Sequence, residues 1–93
     1  MALRFSWNAE KARRNIQKHG VSFEEAATVL GDRLSLTVHD EAHSSAEEDH
    51  FITIGLSGRG RLLVVVHCQR GRRIRVISAR EATRRERRAY EQG

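Results

Sequence analysis

The sequence predicts an α+β domain in which a mostly antiparallel sheet carries helices on one face, in the order strand, helix, helix, four strands, helix. Three observations carry this. Arg61–Arg80 (RLLVVVHCQRGRRIRVISAR) holds two β-branched runs, Leu62–His67 and Ile74–Ser78, on either side of Gln69-Arg70-Gly71, which is a hairpin pattern. Two helical stretches precede it, each opened by a capping residue and closed by a glycine. Two further alternating stretches lie between, and hairpin-connected strands at this spacing make an antiparallel sheet. Ninety-three residues with 39% hydrophobic content suit one domain with a modest core.

Met1–Ser6 alternates, with Leu3 and Phe5 on one side, and reads as a short first strand. Asn8 is a good N-cap, with Trp7 before it as a hydrophobic staple toward Ala12. The helix runs to about Lys18. Gly20 takes the left-handed position after it, and Val21 folds back onto Ile16. Ala9, Ala12 and Ile16 form a narrow apolar stripe. Lys11, Asn15 and Lys18 lie beside it, ending at His19, either as a phosphate-binding stripe or as a plain polar outer face. Ser22-Phe23-Glu24-Glu25 is a capping box, so a second helix follows and ends at Gly31. Leu34–Asp40 and His50–Leu56 are strands, joined by the polar loop Glu41–Asp49. Ser57-Gly58-Arg59-Gly60 turns into the hairpin. Ser78-Ala79-Arg80-Glu81 reads as another capping box that starts a final charged helix, Arg80–Glu91, anchored by Ala82, Ala89 and Tyr90.

A three-residue hairpin loop pairs Cys68 with Arg72 and puts Gly71 at the position that needs positive φ. Leu62, Val64, Val66, Cys68, Ile74 and Val76 then form the dry face. His67, Arg73 and Arg75 share the wet face. A two-residue loop would place Arg73 and Arg75 beside Cys68 and Val66, at the cost of burying charge.

The net charge is +5, unevenly spread. From Arg59 to Arg88 there are eleven arginines against Glu81 and Glu86, while the acids gather between Asp32 and Asp49. An arginine-rich half suits a polyanion, because guanidinium forks match phosphate oxygens; a solvated face is the plainer reading. The single cysteine, Cys68, excludes an internal disulfide framework and suits a reducing cytoplasm, and its place in the apolar pattern reads as core. No stretch reads as a signal peptide, and Leu62–Val66 is too short to span a membrane.

Three chemistries are open to such a residue set. His39, Asp40, His43, Asp49 and His50 are close in sequence, but the spacing matches no zinc motif, so no metal is expected. Nucleophile-elbow and nucleotide-binding glycine patterns are absent. Metal-free RNA cleavage needs a base for the 2′-OH proton, cations for the pentacoordinate phosphate and an acid for the leaving 5′-oxygen. His67 beside Arg73 and Arg75, with Arg80 at the rim, supplies those types. Equally, His67 reads as a half-buried sheet residue under solvent-facing arginines.

Three blocks resemble the BrnT family of bacterial type II toxins. They are Trp7-x-x-x-Lys11-x-x-x-Asn15-x-x-Lys18-His19-Gly20-Val21-Ser22-Phe23-Glu24-Glu25-Ala26, Arg61–His67, and Ile74–Arg87 with its Ser78-Ala79-Arg80-Glu81 core. The resemblance implies a RelE-like fold and a cytoplasmic ribonuclease that halts translation without a cofactor. It implies a ribbon-helix-helix, BrnA-like antitoxin as partner, whose complex with the toxin binds operator DNA through the antitoxin. Together with the hairpin geometry, it makes His67, Arg75 and Arg80 the expected catalytic residues, His67 as general base or acid. Lys11, Lys18, His19, Arg73, Arg84 and Arg87 are the expected RNA contacts. The competing expectation is a non-catalytic basic module that binds nucleic acid.

Overall fold

A computed structural model describes residues 4–93. The first strand, β1, spans Arg4–Ser6; the Met1–Leu3 part of its expected range lies outside the described residues. Then follow α1 (Ala9–His19), α2 (Phe23–Val29), β2 (Leu36–His39), a 3-10 turn at Glu41–His43, β3 (His50–Leu56), β4 (Leu62–Arg70), β5 (Arg73–Glu81) and α3 (Arg84–Gln92). The sheet order is β1-β5-β4-β3-β2. Among the described residues only the β1–β5 pair is parallel; the rest are antiparallel, as expected of the fold class.

The helix starts follow local chemistry. Asn8 accepts from the Lys11 N–H at 3.0 Å, and Ser22 accepts from the Glu25 N–H at 3.0 Å. The second box is only half closed. Glu25 is buried, and its carboxylate takes Arg61 Nε at 2.9 Å, Arg61 Nη2 at 2.5 Å and Ser57 Oγ at 2.7 Å. Arg61, first among the causes, holds the Glu25 carboxyl below the usual carboxylate range. This ion pair ties α2 to the β3–β4 turn. Gly55 of β3 lets α2 approach closely: a Cβ there would stand 2.9 Å from Val29 Cγ1.

The core lies between the sheet and the first two helices. Val21, Phe23, Ala26 and Val29 meet Leu63, Val65, Val76 and Ala79, with Phe5, Trp7 and Ala12 packed at the margin. The Trp7 and Phe23 rings meet edge to face at 6.1 Å. The expected Ala9–Ala12–Ile16 stripe is corrected: Ile16 is half exposed, and α1 instead turns Ala12 and Asn15 inward. Asn15 makes that face necessary. β1 pairs only as far as Arg75, so β5 has a free edge beyond it. There Asn15 Nδ2 donates to the Ala79 carbonyl at 2.8 Å, and Asn15 Oδ1 accepts from the Ala79 N–H at 3.1 Å. A carboxamide carries the donor and acceptor of a peptide group, so Asn15 substitutes for a neighbouring strand. It also donates to the Val21 carbonyl at 2.9 Å.

The hairpin register differs from the expected one. Arg70 faces Arg73 across a two-residue Gly71-Arg72 turn, with positive φ at Gly71 alone, and Cys68 faces Arg75. The arginine beside Cys68 is tolerated because Arg75 is only half buried, so its stem covers the strand while its head reaches water. A bulge follows: His67 faces Val76 but Val66 faces Ser78, leaving Ile77 as the extra residue. It allows Val76 and Ala79, three apart, both to face the helices. The helix-facing set on β4 is therefore Leu63, Val65 and His67, which corrects the expected dry face of Leu62, Val64, Val66 and Cys68. Leu62, Val64 and Cys68 are also buried, on the other face, as befits a central strand.

The final helix starts later than expected. Glu81 still pairs with Leu63, so β5 absorbs the Ser78–Glu81 box, and Thr83 with Glu86 forms the capping box actually used. α1 and α2 cover one sheet face, as expected of the helices. α3 instead folds back on the other face: its Gly93 end meets Leu36, whose partner Ile54 points away from the core, and Tyr90 donates to Asp32 Oδ2 at 2.7 Å.

Candidate active site and nucleic-acid surface

The sheet face turned away from α1 and α2 holds an open cleft of about 550 Å³. Its floor is apolar: Ile52, Val64, Val66 and Ile77. Polar groups converge on its rim from four segments. His19 comes from the end of α1, Asp40 and His43 from the loop after β2, His50 from the start of β3, and Arg80 and Glu86 from the β5–α3 junction.

Arg80 is the best-fixed cation there. Its guanidinium forks onto Glu86, with Nη1–Oε1 and Nη2–Oε2 both at 2.8 Å, and Glu86 also takes the Thr83 N–H at 2.8 Å. Arg80 and then the cap hold the Glu86 carboxyl down at about 2. The capping box of α3 thus fixes this guanidinium, through Glu86, on the cleft rim with two-fifths of its side chain exposed. Elsewhere on the rim, His43 Nδ1 lies 2.8 Å from Asp40 Oδ2, and Asp40 is nearly buried while His43 is exposed. A carboxylate on Nδ1 fixes the tautomer that leaves Nε2 with its lone pair outward. His50 Nε2 is 2.7 Å from Glu48 Oε1. His50 and then Arg70 hold the Glu48 carboxyl at about 2.

A smaller groove continues from the cleft through His19, Ile77 and Ser78 to Lys11, Arg14 and Lys18. Another runs along the outer side of α3, between Arg84, Arg85 and Arg88. An apolar floor for a base, a fixed cation and imidazoles at the rim, and a cationic path leading away suit a single-stranded nucleic acid.

A family model described as the ribonuclease toxin BrnT of a type II toxin–antitoxin system matches residues 7–86. The chain belongs to the BrnT family. It is therefore a ribonuclease toxin of a type II toxin–antitoxin system, and the simple binding-module reading falls away. The 1.1 Å crystal structure of the Brucella abortus ribonuclease toxin BrnT is similar in fold, with a TM-score of 0.66 over 89% of this chain and 100% of that one, at 22% identity. A search of the curated proteins finds no match.

In this BrnT-family chain, the expected site residues separate into three groups and one outlier. Arg80 and His19 line the cleft, and Lys11 and Lys18 line the adjoining groove. Arg84 and Arg87 are exposed on α3, the former in its outer groove. Arg73 and Arg75 lie at the far, turn end of the hairpin. His67 is apart from all of them, and its expected place beside Arg73 and Arg75 is corrected. Cys68 faces Arg75 while His67, one residue earlier, turns to the opposite face. It is 9% exposed, its Nε2 lies 2.8 Å from Thr53 Oγ1, and its ring stacks on Phe51 at 6.0 Å. Burial pushes its pKa below the ordinary histidine value.

Asn15, within the first motif, is a structural tie rather than an exposed ligand. His43, His50 and Glu86 were not expected at the site. In the sequence, His43 and His50 read only as metal-ligand candidates. No local periodicity joins them to Arg80, because strand pairing and the return of α3 do so.

Proposed function

We propose that this toxin is a metal-independent endoribonuclease whose catalytic cleft lies between Arg80 and the His43–Asp40 pair. The observation that carries the reading is that cleft, whose lining holds both a carboxylate-fixed guanidinium and carboxylate-paired imidazoles and which adjoins the Lys11–Lys18 groove. His43 Nε2 takes the 2′-OH proton, and the 2′-oxygen attacks the adjacent phosphorus. Arg80 stabilises the charge gathering on the equatorial oxygens. The P–O5′ bond breaks, and His19 returns a proton to the leaving oxygen. His50 bounds the substrate. Lys11, Lys18, Arg84 and Arg87 hold flanking phosphates, and Arg73 and Arg75 extend the basic surface at the hairpin end. Cleavage of messenger RNA in the cytoplasm then halts translation.

The partner is a ribbon-helix-helix, BrnA-like antitoxin that silences the toxin by covering this basic surface and binds operator DNA itself. Support comes from Arg84, Arg85, Arg87 and Arg88, all exposed on α3, and from the uncovered Leu34, Val38 and Leu56. No helix among the described residues is long and apolar enough to cross a membrane.

The test is cleavage of an RNA oligonucleotide in EDTA. Products should carry 2′,3′-cyclic or 3′-phosphate ends. Arg80→Ala and His43→Ala should each lower kcat by about 10²–10³-fold with the fold intact. Loss of activity in EDTA with rescue by Mg²⁺ overturns the mechanism. A folded His67→Gln variant that loses cleavage while His43→Ala retains it moves the site to the other face of the sheet.

A further inference from the structure

Beside the cleft, and sharing His50 with its wall, stands a second group of side chains that makes no proton transfer and holds no phosphate in the proposed reaction. Glu48, His50 and Cys68 each offer one ligand atom, and these atoms lie within 4.8 Å of one another. They come from the loop, from β3 and from β4. His50 and Cys68 are direct cross-strand partners, so two of the three ligands stand on paired strands rather than on a loop. Glu48 Oε1 already lies 2.7 Å from His50 Nε2. Arg70 holds the other carboxylate oxygen, Oε2, from Nη2 at 2.8 Å and Nε at 3.1 Å.

We infer that Glu48, His50 and Cys68 form a binding site for a borderline-soft divalent cation, with Zn²⁺ the best-matched ion. The donor set decides the class. Thiolate and imidazole select zinc-like ions over Mg²⁺ or Ca²⁺, which take oxygen ligands. A tetrahedral ion with bonds of about 2.0–2.3 Å sets its ligand atoms roughly 3.3–3.8 Å apart. The 2.7 Å contact of His50 with Glu48 therefore opens by about 0.6 Å, and Cys68, within 4.8 Å, draws in by at most about 1.3 Å. Binding sends the thiol proton to solvent and moves the imidazole proton of His50 from Nε2 to Nδ1, freeing the Nε2 lone pair for the ion; the thiolate and carboxylate then balance the dication. Arg70 stays on Oε2, as an outer partner orienting the carboxylate. Water fills the fourth position.

The neighbouring titratable pairs are different in kind. His39 with Asp49 and His43 with Asp40 are isolated two-residue contacts on exposed histidines. The consequence for the enzyme rests on the proposed function: bound metal takes His50 Nε2 from the cleft wall and slows cleavage. The site itself is tested without RNA.

The experiment titrates the full chain with Co²⁺ under reducing conditions, then displaces it with Zn²⁺. A thiolate-to-cobalt band in the near ultraviolet at one ion per chain is expected. Glu48→Gln and Cys68→Ser should each weaken Zn²⁺ by more than about tenfold, the lower end of what losing even an outer partner costs. His39→Ala should leave affinity unchanged. Because Cys68 is fully buried, the partly exposed Glu48→Gln keeps the test independent of any folding defect. Absence of the thiolate band overturns the proposal, as does unchanged affinity in a folded Glu48→Gln chain. So does loss of binding in His39→Ala alone. None of these readouts depends on ribonuclease activity, so the two readings fail separately.

Discussion

Replacing Asn15 by alanine separates a structural tie from a phosphate ligand. Asn15 is 7% exposed and makes three hydrogen bonds, two with Ala79 and one with Val21, both themselves buried. Asn15→Ala removes bonds worth about 0.5–1.5 kcal/mol each and leaves buried backbone groups unpaired, a further cost of about 1–3 kcal/mol for the worst placed. Some relaxation and water entry offset this, so a loss of about 3–4 kcal/mol is expected. A domain of this size holds roughly 5–14 kcal/mol in all. At about 4–8 °C per kcal/mol, the melting temperature should fall by roughly 12–30 °C. Asn15→Asp should do no better, because a carboxylate accepts the Ala79 N–H but presents charge to two carbonyls. The control is Lys18→Ala, which should stay within about 0.5 kcal/mol of the parent while weakening RNA binding. Circular-dichroism melts and urea titrations give both numbers. An Asn15→Ala chain that melts like the parent but fails to bind RNA refutes the strand-substitute argument and returns Asn15 to the phosphate-binding stripe.

Acid should destabilise the fold in a defined window. Glu86 and Glu48 fall from 4.5 to about 2, and Glu25 is also lowered, so each favours the folded state above the unfolded value. Stability should be complete above about 4.5 and drain as pH drops toward about 2; Glu86→Gln should flatten that slope, and an unchanged acid midpoint would count against the Arg80 clamp. His67 is depressed by burial, so the unfolded chain binds its proton first and stability should decline as pH falls below about 6.5. Histidine NMR titration should find His67 neutral at a pH where a solvent-exposed ring is charged; an ordinary titration would show that it is not buried. Reversing charge at Arg84 and Arg87 together should weaken both RNA and antitoxin, read by RNA titration and pulldown. Normal antitoxin affinity with lost RNA binding would place inhibition at a separate surface.

What the sequence determined by itself is what depends on neighbours a few residues away. Asn8 and Ser22 cap their helices because the bonds run from i to i+3. The strand at His50–Leu56 and the αα unit follow from spacing, and the three motif blocks carried the family and with it the chemistry. Tertiary structure decided the rest. LLVVV is apolar on both faces, so alternation could not say which face meets the helices; packing and the bulge at Ile77 chose Leu63 and Val65. Two S/T-x-x-E sequences competed to start α3, and pairing of Glu81 with Leu63 removed the first. That same register put His67 inside and left Arg80 at the rim. The cleft joins residues as far apart in sequence as His19 and Glu86, and such closeness is paid for by burial elsewhere in the sheet rather than by any local preference.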